Sequence, residues 1–354
     1  VMRERLRKCR DVWKASRADL HSESYARWRS DCLVAGTVSG GAVIGKASSM
    51  CLVRPRDEFE AEPAINLAVR LARNEKESIQ LLVAPDGKNL ANVRVSVSDL
   101  SRERRWDQMF SSDVRFAADN ITVSPMGYVA LRRVPEHSAR LLADSSMPDG
   151  WRREPVVPGW YPDPILDFLD KVDEIRNDDV QGFWIKVRCP ENQPAGVYNG
   201  KVLVTWTVDG IEKSWKAPFA IRVNDFSLDK VSPIPLNMSF QPRFHCKNWD
   251  RLGRIVGKGV YERERWIEAH TNCAPYLARR RIDEWTDFLA DNLITIDFLY
   301  PMVEPRGSEL ARLKAEGRLG CFNLKYWSDE SNNDEWFADA RLRYEKARQL
   351  GVVD

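Results

Sequence analysis

Settings that favour covalent or proton-transfer chemistry are few and scattered in this 354-residue chain. The four His (His21, His137, His245 and His270) have no Ser or Cys beside them in a nucleophile-elbow setting. Seven Cys occur without a CxxC or the Cys–His spacing of structural zinc. Buried free thiols are the favoured reading, with one or two disulfides as the alternative in an exported protein. Two acidic pairs, Asp283-Glu284 and Asp329-Glu330, set carboxylates side by side as acid–base work requires. The first falls on a predicted helix face and the second in a charged loop, where solvation is the usual fate. "GTVSGGAVIG" (36–45) is Gly-rich but lacks GxGxxG and GxxxxGK[ST], so it reads as a flexible joint and not a phosphate cradle. No cofactor and no metal site is expected.

Binding chemistry is better represented. The chain has 13 Trp, more than cores usually take, and flat aromatic faces also stack on the C–H faces of sugar rings. In "GWYPDPILDF" (159–168) two prolines set an extended path just after Trp160 and Tyr161. Those rings either anchor a loop on a β-sandwich or belong to a loop lying over a neighbouring ligand cleft. "FQPRF" (240–244) and "KYW" (325–327) end two apolar runs in a region of alternating strand and helix. Parallel α/β folds bind ligands at such carboxyl ends. Gln241, Arg243, Tyr326 and Trp327 are therefore candidates for site lining, with core filling as the alternative.

The elements that would position these residues fall into three stretches. Residues 2 to about 33 carry a helical stripe (Leu6, Cys9, Trp13, Leu20), which Trp28 is expected to end. From 36 to 230 the signals are short β runs with turns between them, including a turn at Asn74 and a hairpin turn at Asp209-Gly210. Val93, Val95, Val97, Trp184, Val187, Val202 and Val204 are its predicted core, and the spacing suggests an antiparallel sandwich. Residues 132–180 read as a long excursion between strands. Beyond the Pro233–Pro235 pair, helices are expected at about 261–270, 275–292, 308–316 and 337–350, with apolar runs at 293–301 and 319–327. That alternation favours a parallel α/β unit, either open sheet or barrel. Gly351 reads as a helix C-cap, and Val352-Val353 as the start of a strand. The domain expectation is thus a helical lead (1–35), a sandwich (36–230) and an α/β unit (231–354).

Lys and Arg number 54 against 52 Asp and Glu, a net charge of +2 that gives no basis for nucleic-acid or membrane-surface binding. No run is long and apolar enough to span a membrane, and the basic start "VMRERLRKCRDVW" has no apolar segment of a signal peptide.

The stretches "RNEKESIQLLVAP", "GWYPDPIL", "FWIKVRCPENQPAGVYNGKVLV", "WTDFLADN", "FNLKYW" and "YEKARQLGVVD", in this order, resemble glycoside hydrolase family 123. In "PAGVYNG", Pro194, Gly196 and Gly200 are expected to shape a turn between two sandwich strands. The resemblance implies a multi-domain α+β chain: a sandwich, then the first part of a (β/α)8 barrel over 231–354. It also implies a secreted or periplasmic enzyme acting on β-linked N-acetylhexosaminides. In such enzymes the 2-acetamido oxygen attacks the anomeric carbon, an Asp orients that amide, and an adjacent Glu protonates the leaving oxygen. The resemblance places that Asp-Glu pair just after Asp354, so no catalytic role falls on this chain and it is expected to be inactive alone. The reading from another class is a non-catalytic carbohydrate-binding or protein-interaction module. The sugar, the linkage and the oligomeric state are not legible here.

Overall fold

The structure, a computed structural model, describes residues 23–54, 59–104, 113–131, 159–177, 179–234, 236, 286–293, 306–322, 324 and 334–353. Chain contacts divide the molecule into two units, 1–228 and 229–354.

Among its described residues the first unit has helix α1 (Glu23–Val34) and then fourteen strands in two sheets. Sheet 1 contains β1 (Val38–Ser39), β2 (Ala42–Ser48), β3 (Glu62–Pro63), β5 (Lys76–Pro85), β9 (Ile121–Leu131), β10 (Gly159–Ile165) and β12 (Gln181–Arg188). Sheet 2 contains β4 (Leu67–Arg73), β6 (Leu90–Val97), β7 (Leu100–Arg102), β8 (Arg115–Phe116), β11 (Val172–Ile175), β13 (Gly196–Val208) and β14 (Ile211–Ser227). The main order is β1-β2-β5-β12-β9-β10 in the first and β11-β6-β13-β14-β4 in the second. All described pairings are antiparallel except β14 with β4.

The core between the sheets follows strand alternation. Leu81 and Val83 of β5, Phe183, Ile185 and Val187 of β12, Val202, Val204 and Trp206 of β13, and Phe219 and Ile221 of β14 are all buried there. In β6, Asn92 takes a left-handed φ of 51° beside a register shift against β13. This bulge resets the alternation, so Leu90 and Val93 both reach the core. Val93, Val95, Val187, Val202 and Val204 are buried as expected, and Val97 is half-buried. Trp184 is half-buried too, because it has the opposite parity to Phe183 and Ile185 and points to the other face of sheet 1.

That other face has a core of its own. Tyr25, Trp28 and Cys32, at i, i+3 and i+7 of α1, pack with Phe59, Val53, Val43, Leu82 and Ala84. The α1 stripe does not end at Trp28: Trp28 is at its centre and Cys32 is fully buried. Two edge-on ring contacts hold the indole, with Tyr25 at 5.7 Å and Phe59 at 5.8 Å between centroids. Gly45 makes room for it, since a Cβ there would stand 2.3 Å from Trp28 Nε1 and 2.7 Å from the Glu62 carbonyl. Sandwiched between two cores, the second half of β5 (Leu81–Pro85) reads in sequence as a continuous apolar run.

Turns act as the sequence predicts at some points and differently at others. Asp209 (φ 50°) and Gly210 (φ 75°) form the two-residue turn of the β13–β14 hairpin, pairing Val208 with Ile211. The stretch 36–45 is no flexible joint: Gly40 and Gly41 form an equally tight turn from β1 to β2, both with positive φ. The carbonyl of Gly40 accepts a hydrogen bond from Trp206 Nε1 at 3.0 Å. Asn74 (φ 60°) turns the chain from sheet 2 into sheet 1, its N–H on the Cys189 carbonyl and its Nδ2 on that of Leu228.

In the second unit the described residues are mainly helical: 286–291, α2 (Arg306–Ala315) and α3 (Asp334–Gln349). Leu289, Leu310, Leu313, Ala347 and Val352 form a small core. Val352 and Val353 are not in a strand among the described residues. Gly351 (φ 68°) and Val352 donate their N–H groups to the carbonyls of Arg348 and Ala347, a Schellman ending that buries Val352. The expected helix near 261–270 and the apolar run 294–301 lie outside the described residues, and no barrel sheet is found among them. Among the described residues the chain is mostly β, with two sheets and few helices.

Candidate functional site

Of the six residues singled out for binding, the structure describes two. Gln241, Arg243, Tyr326 and Trp327 lie outside the described residues, as do all four His and both acidic pairs.

Trp160 and Tyr161 do not sit on a loop. They belong to β10, the edge strand of sheet 1, where Trp160 pairs with Ala130 and Tyr161 with Val129. An edge strand tolerates Pro because its missing N–H faces away from the ladder, so Pro162 and Pro164 fit the strand and its register shift. The described residues of the 132–180 excursion accordingly include two strands, β10 and β11. Both rings are half-buried. Tyr161 is fixed by Arg54: the guanidinium stands 5.5 Å from the ring centroid, and its NH1 donates to the phenol oxygen at 3.3 Å. Val129 and Ile165 are about half exposed beside them.

The corner from β12 to β13 is the most firmly built feature. Tyr198 is fully buried and donates its hydroxyl to the Pro194 carbonyl at 2.5 Å, the arrangement of a tyrosine corner. Burial raises the pKa of that phenol. Its ring meets Phe116 edge-on at 5.8 Å. Gly196 opens the strand against Arg102, whose Cδ would be 2.8 Å from a Cβ. Gly200 has a different part from the one expected: it lies inside β13, where a Cβ would meet Leu100 at 2.7 Å and the Asp99 carbonyl at 3.1 Å. "PAGVYNG" therefore encodes a corner plus a close strand approach.

A cleft of about 730 Å³ opens between the β2–β3 edge of sheet 1 and β4 of sheet 2. Lys46, Glu60, Glu62, Arg70, Ser49 and Glu77 are on its walls. Lys46 pairs with Glu62 at 3.3 Å and donates to the Asn66 carbonyl at 3.1 Å. One oxygen of Glu77 accepts from the Ser78 N–H at 2.8 Å and the Ser49 hydroxyl at 3.4 Å. Below this turn the buried Gln80 donates to the carbonyls of Ser48 and Cys51 at 2.7 and 2.8 Å. The cleft offers hydrogen-bond acceptors and ion-pairing groups. Sequence reading missed it because two sheet edges supply the walls, and no local spacing records their meeting.

Among the described residues no grouping of His, Cys, Asp and Glu fits a metal ion. Cys32, Cys51, Cys189 and Cys321 are free thiols, the first and third buried. No described helix is long and apolar enough to cross a membrane.

No curated protein matches the chain. Among solved structures, a family 123 glycoside hydrolase from Clostridium perfringens, described for glycolipid glycan hydrolysis, aligns with 13% identity and a TM-score of 0.45. The alignment covers 88% of this chain and 46% of that one, so this chain spans less than half of that enzyme's length. The PapD-like domain 7 of human CEP192 aligns at 9% identity and TM-score 0.25, covering 45% of this chain and 82% of that domain. The CooA pilin subunit of enterotoxigenic Escherichia coli aligns at 12% and 0.26, covering 51% and 96%. Residues 58–206, from the segment before β3 into β13, match the family model of the glycoside hydrolase 123 N-terminal domain.

Proposed function

We propose that the chain is part of a glycoside hydrolase that cleaves β-linked N-acetylhexosaminides by a substrate-assisted, retaining mechanism. The observation that carries this reading is the family-domain match over residues 58–206, whose strands and tyrosine corner build the sandwich. The sandwich supports the enzyme, and the chemistry belongs to a (β/α)8 barrel that begins in 231–354. In this reading Gln241, Arg243, Tyr326 and Trp327 contact the sugar, and Trp160 and Tyr161 of β10 offer aromatic faces for glycan contact in their own right. In the reaction the substrate's acetamido oxygen displaces the leaving group, an Asp orients the amide, and a Glu serves first as acid and then as base. Neither role is assigned to a residue within 1–354. The resemblance to glycoside hydrolase family 123 makes it a secreted or periplasmic enzyme in this reading.

Hydrolysis of aryl β-N-acetylhexosaminides tests this reading. The gene product containing this chain should release the aryl alcohol. The 354-residue chain alone should not, since a missing positioned acid alone costs about 10²–10⁴-fold. Turnover by 1–354 that one substitution within it abolishes would overturn the placement of the chemistry. A gene product that binds glycans without cleaving them would make the chain a binding module.

A further inference from the structure

We draw no further inference here: the strongest candidate, the mixed-charge cleft between the β2–β3 edge of sheet 1 and strand β4 of sheet 2, has no buried unpartnered polar group among its lining residues, and nothing in the structure shows what fills it.

Discussion

The two units are held by different forces. In the first, two apolar cores lie on either side of sheet 1, and the ionisable groups within them are thiols and phenols. Burial pushes the thiols of Cys32 and Cys189 up to about 11 and raises the phenols of Tyr25, Tyr128 and Tyr198. In the second unit the described core is small, and an ion network lies beside it. Arg312 bonds Asp287 at 3.0 Å, Glu309 at 2.7 Å and Glu316 at 3.0 Å, while Arg318 bonds Asp287 at 2.8 Å, Asp291 at 2.7 Å and Glu316 at 2.8 Å. Burial works to raise the carboxyl of Asp287, but hydrogen bonds from Arg318 and Arg312 outweigh it and the net shift is down. Arg318 and Arg312 likewise lower Glu316. One unit thus depends on groups that must stay neutral, the other on groups that must stay charged.

The largest expected effect breaks the first unit at α1. Trp28→Ala empties the centre of the second core and should cost about 3–5 kcal/mol, the range for deleting a large buried ring. Gly45→Ala forces a Cβ onto the same indole and onto the Glu62 backbone, so it too should be strongly destabilising. Because both changes act on one contact, the double variant should lose less than the sum. Urea denaturation read by Trp fluorescence checks this. Additive losses would mean that Gly45 is required for some reason other than Trp28.

Arg312→Met is the corresponding break in the second unit. It leaves Glu309, whose side chain is only 4% exposed, without its guanidinium. The expected loss is about 1.5–3 kcal/mol, typical of a hydrogen bond to a charged group. It should appear as faster amide exchange in α2 and the 286–291 helix, with β12 and β13 unchanged.

The pH dependence of the two units should have opposite signs. Asp287 and Glu316 have depressed folded-state pKa values, so their contribution is complete above the ordinary carboxylate range. It is lost as pH falls through that range and below, and α2 should lose exchange protection in acid before the sandwich does. Cys32 and Cys189 have raised folded-state values, so their contribution is complete below the ordinary thiol pKa of roughly 8.5. It is lost as pH rises toward about 11, and the sandwich should be the unit that weakens in alkali. Loss of both units at the same acid pH would mean that the network does not set the stability of the second.

Much of the fold is legible where its signals are local. The Asp209-Gly210 turn, the alternating valines of β6 and β13, and the Gly351 helix end each follow from a few adjacent residues. What escaped was decided by distant partners. Alternation reads Trp184 as a core residue, yet its parity is opposite to that of the buried Phe183 and Ile185, which sends it to the other face. β10 looked like a loop because of its prolines, which an edge strand accepts. The α1 stripe was cut short at Trp28 because nothing in sequence shows that sheet 1 has a second covered face. The candidate site was least legible: the family motif marks a structural corner at Tyr198, and the cleft beside β4 has no linear signature.

Tyr198→Phe is a milder test of the first unit, made at that corner. It keeps the ring against Phe116 but removes the hydroxyl's bond to the carbonyl of Pro194, an exposed residue of the corner. The loss should be about 1 kcal/mol, within the usual range for one hydrogen bond. Thermal unfolding should shift down with the folded spectrum retained.

The smallest effect is expected at the edge of the same sandwich and separates packing from recognition. Arg54→Gln removes the cation beside Tyr161, a half-exposed pair that should contribute about 0.5–1 kcal/mol. A stability change of that size, with glycan affinity of the full gene product unchanged, would mean that Arg54 and Tyr161 only pin β10 to the 49–54 segment. A loss of affinity clearly larger than the loss of stability, restored by Arg54→Lys, would mean that the contact holds the ring for a sugar. The Lys variant is informative because it keeps the positive charge beside the ring while losing the planar fork of donors that reaches the phenol oxygen. Rescue would therefore assign the effect to charge on the aromatic face, and failure to rescue would assign it to the hydrogen bond that fixes the ring's position.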